Sequence, residues 1–197
     1  MKKQKIARVL SDIFIPPTFF LFASFYLPLK IELANNEKVI SLLVMLFGLV
    51  ILPMTYFIHL RRKNKIINRD AVIKEQRDIL YIFSFVVCSI CLLLLHFFTS
   101  STFIKLVILA NIVSSIGVYF INKKIKISIH SLTPAGFTAI LLFVSPSLSA
   151  LSLIITFLLM WSRLTLGVHS FKEVLIGSLY GFFLTYVVIY LGLNYAP

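Results

Sequence analysis

Long apolar runs, rather than alternation at short periods, dominate this chain. They fall at about 9–31, 38–60, 79–97 and 101–121, then as two shorter runs at about 131–145 and 148–161, with a last run at about 172–192. Runs near the bilayer-spanning length predict helices, because a segment in hydrocarbon must satisfy its own backbone hydrogen bonds. Ser145-Pro146-Ser147, a turn signal, splits the short pair. That pair crosses as a tight hairpin of thin or tilted helices, or forms one re-entrant unit; in both cases its ends return to one face. The opening MKKQKIARVL resembles the basic start of a signal peptide, but Pro16-Pro17 interrupts the apolar stretch and no small-residue cleavage site follows. A retained first span is expected. The pattern predicts an all-α polytopic membrane helix bundle of about six to seven transmembrane segments, organised as a single domain over residues 1–197.

Composition agrees. With 59% of its 197 residues hydrophobic and 13% charged, and a mean hydropathy of +0.99, the chain is excluded from the soluble globular class. Lys and Arg number 19 against 7 Asp and Glu, a formal net charge of +12. On a membrane protein this excess means orientation charges and anionic headgroups rather than nucleic acid. With seven crossings, the N-terminus and the loops 61–78, 122–130 and 162–171 share one side. Counting Lys172 at the membrane edge, all the Lys and Arg residues fall there except Lys30, Lys38 and Lys105. The positive-inside rule makes that side cytoplasmic and puts the C-terminal Tyr195-Ala196-Pro197 outside. Arg61, Arg62, Lys63, Lys65, Lys123 and Lys124 read as topology or headgroup charges. Cys88 and Cys91 share one apolar run and read as helix packing. His59, His96, His130 and His169 are isolated in sequence, so neither a di-iron site nor any other metal centre is indicated. Two similar halves with broken helices, the mark of many transporters, are not evident.

The chemistry concentrates in Trp161-Ser-Arg-Leu-Thr-Leu-Gly-Val-His-Ser-Phe-Lys-Glu173. His169 and Glu173, four apart at the start of the last helix, are expected on one face. A carboxylate there holds the proton on one imidazole nitrogen and leaves the other as a nucleophile. Arg163 offers a bidentate fork to phosphate oxygens, and Gly167 lets the backbone approach a bound group. His169 is expected at a polar rim.

Ser162, Arg163, His169 and Glu173, followed by Val174 and Gly177, resemble the third signature of the type 2 phosphatidic acid phosphatase family, relatives of the vanadium haloperoxidases. In that signature Ser-Arg is followed by five residues, His, three residues and Asp; here Glu173 replaces the Asp. The family's second signature, Pro-Ser-Gly-His at a helix start, is matched by Ser128 and His130 in Lys126-Ile-Ser-Ile-His130, with Ile127 and Ile129 in place of Pro and Gly. The first signature, a Lys followed after six residues by Arg-Pro, has its nearest counterpart in Lys74 and Arg77, with no Arg-Pro pair in the loop 61–77. The likeness spans about 61–181 and is closest to a divergent bacterial branch.

The resemblance implies a membrane-embedded lipid phosphatase, with no metal or other cofactor, acting on a phosphomonoester or diphosphate such as phosphatidic acid, phosphatidylglycerol phosphate, isoprenyl diphosphate or a lipid A phosphate. His169 is then the nucleophile, Glu173 its orienting acid and His130 the general acid. Arg163, Ser128, Lys126, Lys74 and Arg77 bind the phosphate. The partner is the lipid phosphate substrate, with no nucleic acid, and the location is a multi-pass position in a bacterial inner membrane. Family resemblance implies an extracytoplasmic site, opposite to the charge rule. The rival class is a catalytically lapsed relative that binds anionic lipid or acts as a scaffold. Gly177 and Gly181, four apart, read as a close-packing helix face, and Gly136 likewise.

Overall fold

The structure is a computed structural model and describes residues 2–68 and 70–195; Ala196 and Pro197, expected outside the membrane, lie beyond the described residues. The helices are α1 (Lys2–Ile13), α2 (Pro16–Lys30), α3 (Asn35–Arg62), α4 (Asp78–Phe98, entered through a 3-10 turn at Lys74–Arg77), α5 (Thr102–Lys124), α6 (Ile129–Leu142), α7 (Pro146–Thr165) and α8 (Phe171–Tyr195). No strand occurs among the described residues. The protein is an all-α helix bundle. Five helices, α3, α4, α5, α7 and α8, are long and apolar enough to cross a membrane, or six if the bent pair α1 and α2 counts as one span.

The first apolar run, expected as a retained span interrupted at Pro16-Pro17, is a pair of helices that meets the length and apolarity of a span only when its two pieces are taken together. Its helix stops at Ile13 and restarts at Pro16, with a bend of 42° between the two pieces. Pro16 and Pro17 open α2, where a missing N–H costs nothing. The Thr18 hydroxyl donates to the Ile13 carbonyl at 2.8 Å and closes the break.

The chain divides into two compact units, Phe20–Lys124 and Met1–Phe19 with Ile125–Pro197. In the unit Phe20–Lys124, α3 carries a π-helical turn at Leu46–Ile51, one turn ahead of Pro53, whose ring and missing N–H disturb the α-helical ladder. Gly48 lies in that turn, and a Cβ there would meet the Cys91 sulfur at 2.1 Å. Cys88 and Cys91 are buried free thiols that pack the helix interface. Ser115 donates to Ser84 at 3.0 Å, and Tyr56 stacks on Phe83 with centroids 4.0 Å apart. Glu37 clamps the turn between α4 and α5 by accepting from the Ser100 amide and hydroxyl, both at 2.9 Å.

In the unit Met1–Phe19 with Ile125–Pro197, α6 is the central element. Its 14 residues, about 21 Å of helix, are too few to cross a bilayer upright. Nearly every side chain from Ser131 to Leu141 is buried, so the helix is encased by protein rather than lipid, where a short segment is tolerated. Glycine lets α8 approach: a Cβ at Gly177 would sit 2.7 Å from the Ser128 carbonyl oxygen, and one at Gly181 only 2.2 Å from that of Leu132. Between α6 and α7 runs a hydroxyl ladder. Thr138 Oγ1 donates to Ser152 Oγ at 2.9 Å, Ser149 Oγ to the Thr138 carbonyl at 2.9 Å, and Ser131 Oγ ties α6 to the Val174 carbonyl of α8 at 3.0 Å. In an apolar surrounding such bonds and small-residue contacts hold helices together in place of hydrophobic burial.

The tight α6–α8 seam generates a prediction. Gly181→Ala should force the two helices apart and lower stability by about 1–3 kcal/mol, the usual cost of overpacking, read as a lowered denaturation midpoint in detergent. An unchanged midpoint would show that the seam is not closely packed in solution.

Candidate functional site

The site begins where α7 ends. Gly167 adopts a left-handed conformation at φ 65°; its amide donates to the Leu164 carbonyl at 3.0 Å, and the Val168 amide to the Arg163 carbonyl at 3.3 Å. This is a Schellman helix stop, for which glycine is the natural residue. A Cβ on Gly167 would meet nothing within 4 Å. Its role in the fold is to reverse the chain.

The reversal carries the chain through His169 and Ser170 into α8. Ser170 caps the helix: its carbonyl accepts from the Val174 amide at 3.2 Å, its hydroxyl accepts from the Glu173 amide at 3.4 Å, and the Glu173 carboxylate accepts from the Ser170 amide at 3.2 Å. Ser170-Phe-Lys-Glu173 is a capping box, with both partners reciprocally satisfied. The same carboxylate oxygen, Oε2, lies 2.8 Å from His169 Nδ1. The expected pairing of His169 with Glu173 is present, but His169 stands two residues ahead of the helix rather than on its face. Nor is it at a rim: the imidazole is 2% exposed.

The segment before α6 meets this turn. Lys126 Nζ donates to the Val168 carbonyl at 2.9 Å and lies 3.9 Å from Glu173 Oε2, while the Ser128 amide donates to the Glu173 carbonyl at 3.3 Å. The structure thus brings Lys126, Ser128, His169 and Glu173 together and places the N-termini of α6 and α8 side by side. His130, half-buried, is the second residue of α6. Two helix N-termini and a lysine make this corner favourable to an anion. Ser128 sits at the N-cap of α6 but makes no capping hydrogen bond with its side chain. Its hydroxyl is buried and has no hydrogen-bond partner among the described residues, an arrangement that costs about 1–3 kcal/mol when nothing satisfies the group.

Arg163 lies inside the protein. It is completely buried, and Nη1 donates to Ser11 Oγ on α1 at 2.7 Å. Its neighbour Ser162 donates to the Ala7 carbonyl at 2.6 Å. The partners of this Ser-Arg pair are about one hundred and fifty positions away in sequence, and no local pattern marks them.

Lys74 and Arg77 belong to the unit Phe20–Lys124 and serve its loop. Arg77, 4% exposed, donates through Nε to the carbonyl of Ala71 at 2.5 Å; Ala71 itself holds φ 44°, unfavourable for alanine. Asn68 Oδ1 accepts from the Val72 amide at 2.8 Å and braces the same turn. Lys74 Nζ donates to the Lys123 carbonyl at 3.0 Å, and its own carbonyl accepts from Asn122 at 2.8 Å. Lys123 pairs with Asp78. Both candidate phosphate ligands thus have loop-holding partners that the sequence did not suggest. No group of three or more His, Cys, Asp or Glu side chains suited to a metal occurs among the described residues.

Compared with known proteins, the chain matches no family model, no curated protein and no solved structure.

The two duties of Glu173 separate by substitution. Glu173→Gln keeps an acceptor for the Ser170 amide and should change stability little, whereas Ser170→Ala should cost about 1 kcal/mol as a lost cap. Nitrogen NMR of His169 should show Nδ1 protonated in the parent protein and the tautomer balance altered in Glu173→Gln. Identical His169 signals in both would remove the carboxylate from control of the imidazole.

Proposed function

We propose that this protein is a membrane-embedded lipid phosphate phosphatase that works through a phosphohistidine. The observation that carries the reading is the 2.8 Å contact of Glu173 with His169 Nδ1, at a corner where the N-termini of α6 and α8 and Lys126 meet. A carboxylate on Nδ1–H leaves the lone pair on Nε2, the arrangement a nucleophilic imidazole needs. The unsatisfied Ser128 hydroxyl supports the reading, since a phosphate oxygen would satisfy it.

In this mechanism Nε2 of His169 attacks phosphorus and the bond from phosphorus to the lipid oxygen breaks. His130 protonates the departing alcohol, or lipid phosphate where the substrate is a diphosphate. Water, activated by His130 as base, then cleaves the phosphorus–nitrogen bond and releases inorganic phosphate. Lys126 and the helix N-termini spread the charge of the transferred group, with Arg163 as a further phosphate ligand carried over from the family resemblance. No metal or other cofactor enters the scheme. The substrate class is a phosphomonoester or diphosphate of a lipid, its tail held in the bilayer. The protein is assigned to a bacterial inner membrane; the charge rule places the site on the cytoplasmic face and the family resemblance on the outer one.

Two observations favour a second reading. Arg163 is fully buried on Ser11 and Glu173 is shared with a helix cap, so the cluster also suits a lapsed relative that binds anionic lipid without turning it over.

Phosphate release from a panel of purified lipid phosphates decides between them. The phosphatase reading expects turnover of at least one lipid, persistence in a chelator, and a loss of about three orders of magnitude or more in His169→Ala. Because His169 is buried, the variant's unfolding midpoint is measured beside its activity. No turnover on any lipid, or strict dependence on magnesium, would overturn the reading.

A further inference from the structure

The two faces of α1 have different fates. One packs on α7: Ala7 and Ser11 are buried, and they accept the hydrogen bonds from Ser162 and Arg163. A second carries Ile6, Val9 and Ile13, each 55% exposed, at spacings of three and four that make one continuous stripe. Cations frame that stripe. Lys3 and Lys5 fall on its two sides and Lys2 at its N-terminal end, all exposed, and Arg8, on the flank beyond Lys5, stands 3.9 Å from Asp12, the helix's one acidic residue.

Neither water nor the bilayer centre suits this helix. In water, three large apolar side chains would stay wetted on a helix already pinned by its other face. In hydrocarbon, the lysines would be costly, and 12 residues, about 18 Å, fall short of a span. The layer between the two accommodates both at once: acyl chains and glycerol for the stripe, headgroups for the cations, whose long side chains reach up from beside it. Four cations against one carboxylate select a negative surface rather than a neutral one.

We propose that α1 is an interfacial helix lying in the plane of an anionic leaflet, its Ile6–Val9–Ile13 stripe turned to the acyl chains and Lys2, Lys3, Lys5 and Arg8 bound to phospholipid headgroups. The assignment goes beyond the phosphatase reading and does not rest on it. It gives the buried Ser11–Arg163 bond a surface-facing lever, since the helix that accepts the guanidinium is the one the leaflet holds.

The test uses the full chain in nanodiscs of zwitterionic lipid alone or with an added share of phosphatidylglycerol. Cys88 and Cys91 are replaced by Ala and a single cysteine at Val9, or at Ile6 as a second probe of the same stripe, carries an environment-sensitive fluorophore. The expected result is a blue-shifted emission, quenched more by nitroxides high on the acyl chain than by deep ones, matching burial of about 5–10 Å. Phosphatidylglycerol should strengthen the shift, and the triple change Lys2→Gln, Lys3→Gln, Lys5→Gln should remove that dependence. Emission typical of water in both lipids, stronger quenching by the deep nitroxides, or an unaltered response in the triple variant would each overturn the proposal.

Discussion

One carboxylate oxygen carries the corner on which the functional reading depends. Glu173 Oε2 accepts from the Ser170 amide and meets His169 Nδ1, with Lys126 nearby. The first contact starts α8, the second orients the imidazole, and the third places a cation over the pair. A helix N-terminus welcomes a carboxylate because its first amides lack partners. The same carboxylate also holds a buried histidine. Fold and site share this group, so the imidazole's position is as firm as the helix cap.

The surroundings explain why so much depends on so few polar contacts. In an apolar medium, helix association draws on close approach and hydrogen bonds rather than on removal of apolar surface from water. The glycines of α6 and α8 let the two backbones nearly touch, and that closeness brings the Ser128 amide to the Glu173 carbonyl. Register along the α6–α8 seam therefore sets how the segment bearing Ser128 and His130 faces the turn bearing His169. The hydroxyls of Thr138, Ser149 and Ser152 fix α7 against the same central helix, and α7 delivers the Schellman turn that sends the chain back to the site.

Much of this was legible in the sequence. Apolar run lengths mark the long spans because hydrocarbon imposes one solution on the backbone, and the spacing of His169 and Glu173 was enough to expect their contact. Ser170-Phe-Lys-Glu173 is also an open capping-box pattern, yet the interest of the histidine hides the cap. Pro16-Pro17 was visible as an interruption, but whether a run bends or breaks there depends on what α1 packs against. Arg163 shows where local reading stops. Its partner Ser11 lies at the other end of the chain, and a motif that names the arginine says nothing of the serine. Arg77 is similar in kind: its donation to Ala71 answers a backbone strain that appears only when the loop is folded.

The central claim is that Glu173 prepares His169 to take a phosphoryl group. It is tested most directly by rapid quench of the full-length protein with a lipid carrying radioactive phosphate, followed by peptide mapping. The account predicts a label that survives alkali, is lost in acid, and maps to His169, with Glu173→Gln forming it more slowly and His169→Asn not at all. Phosphate released with no labelled protein, or a label on another residue, would contradict it.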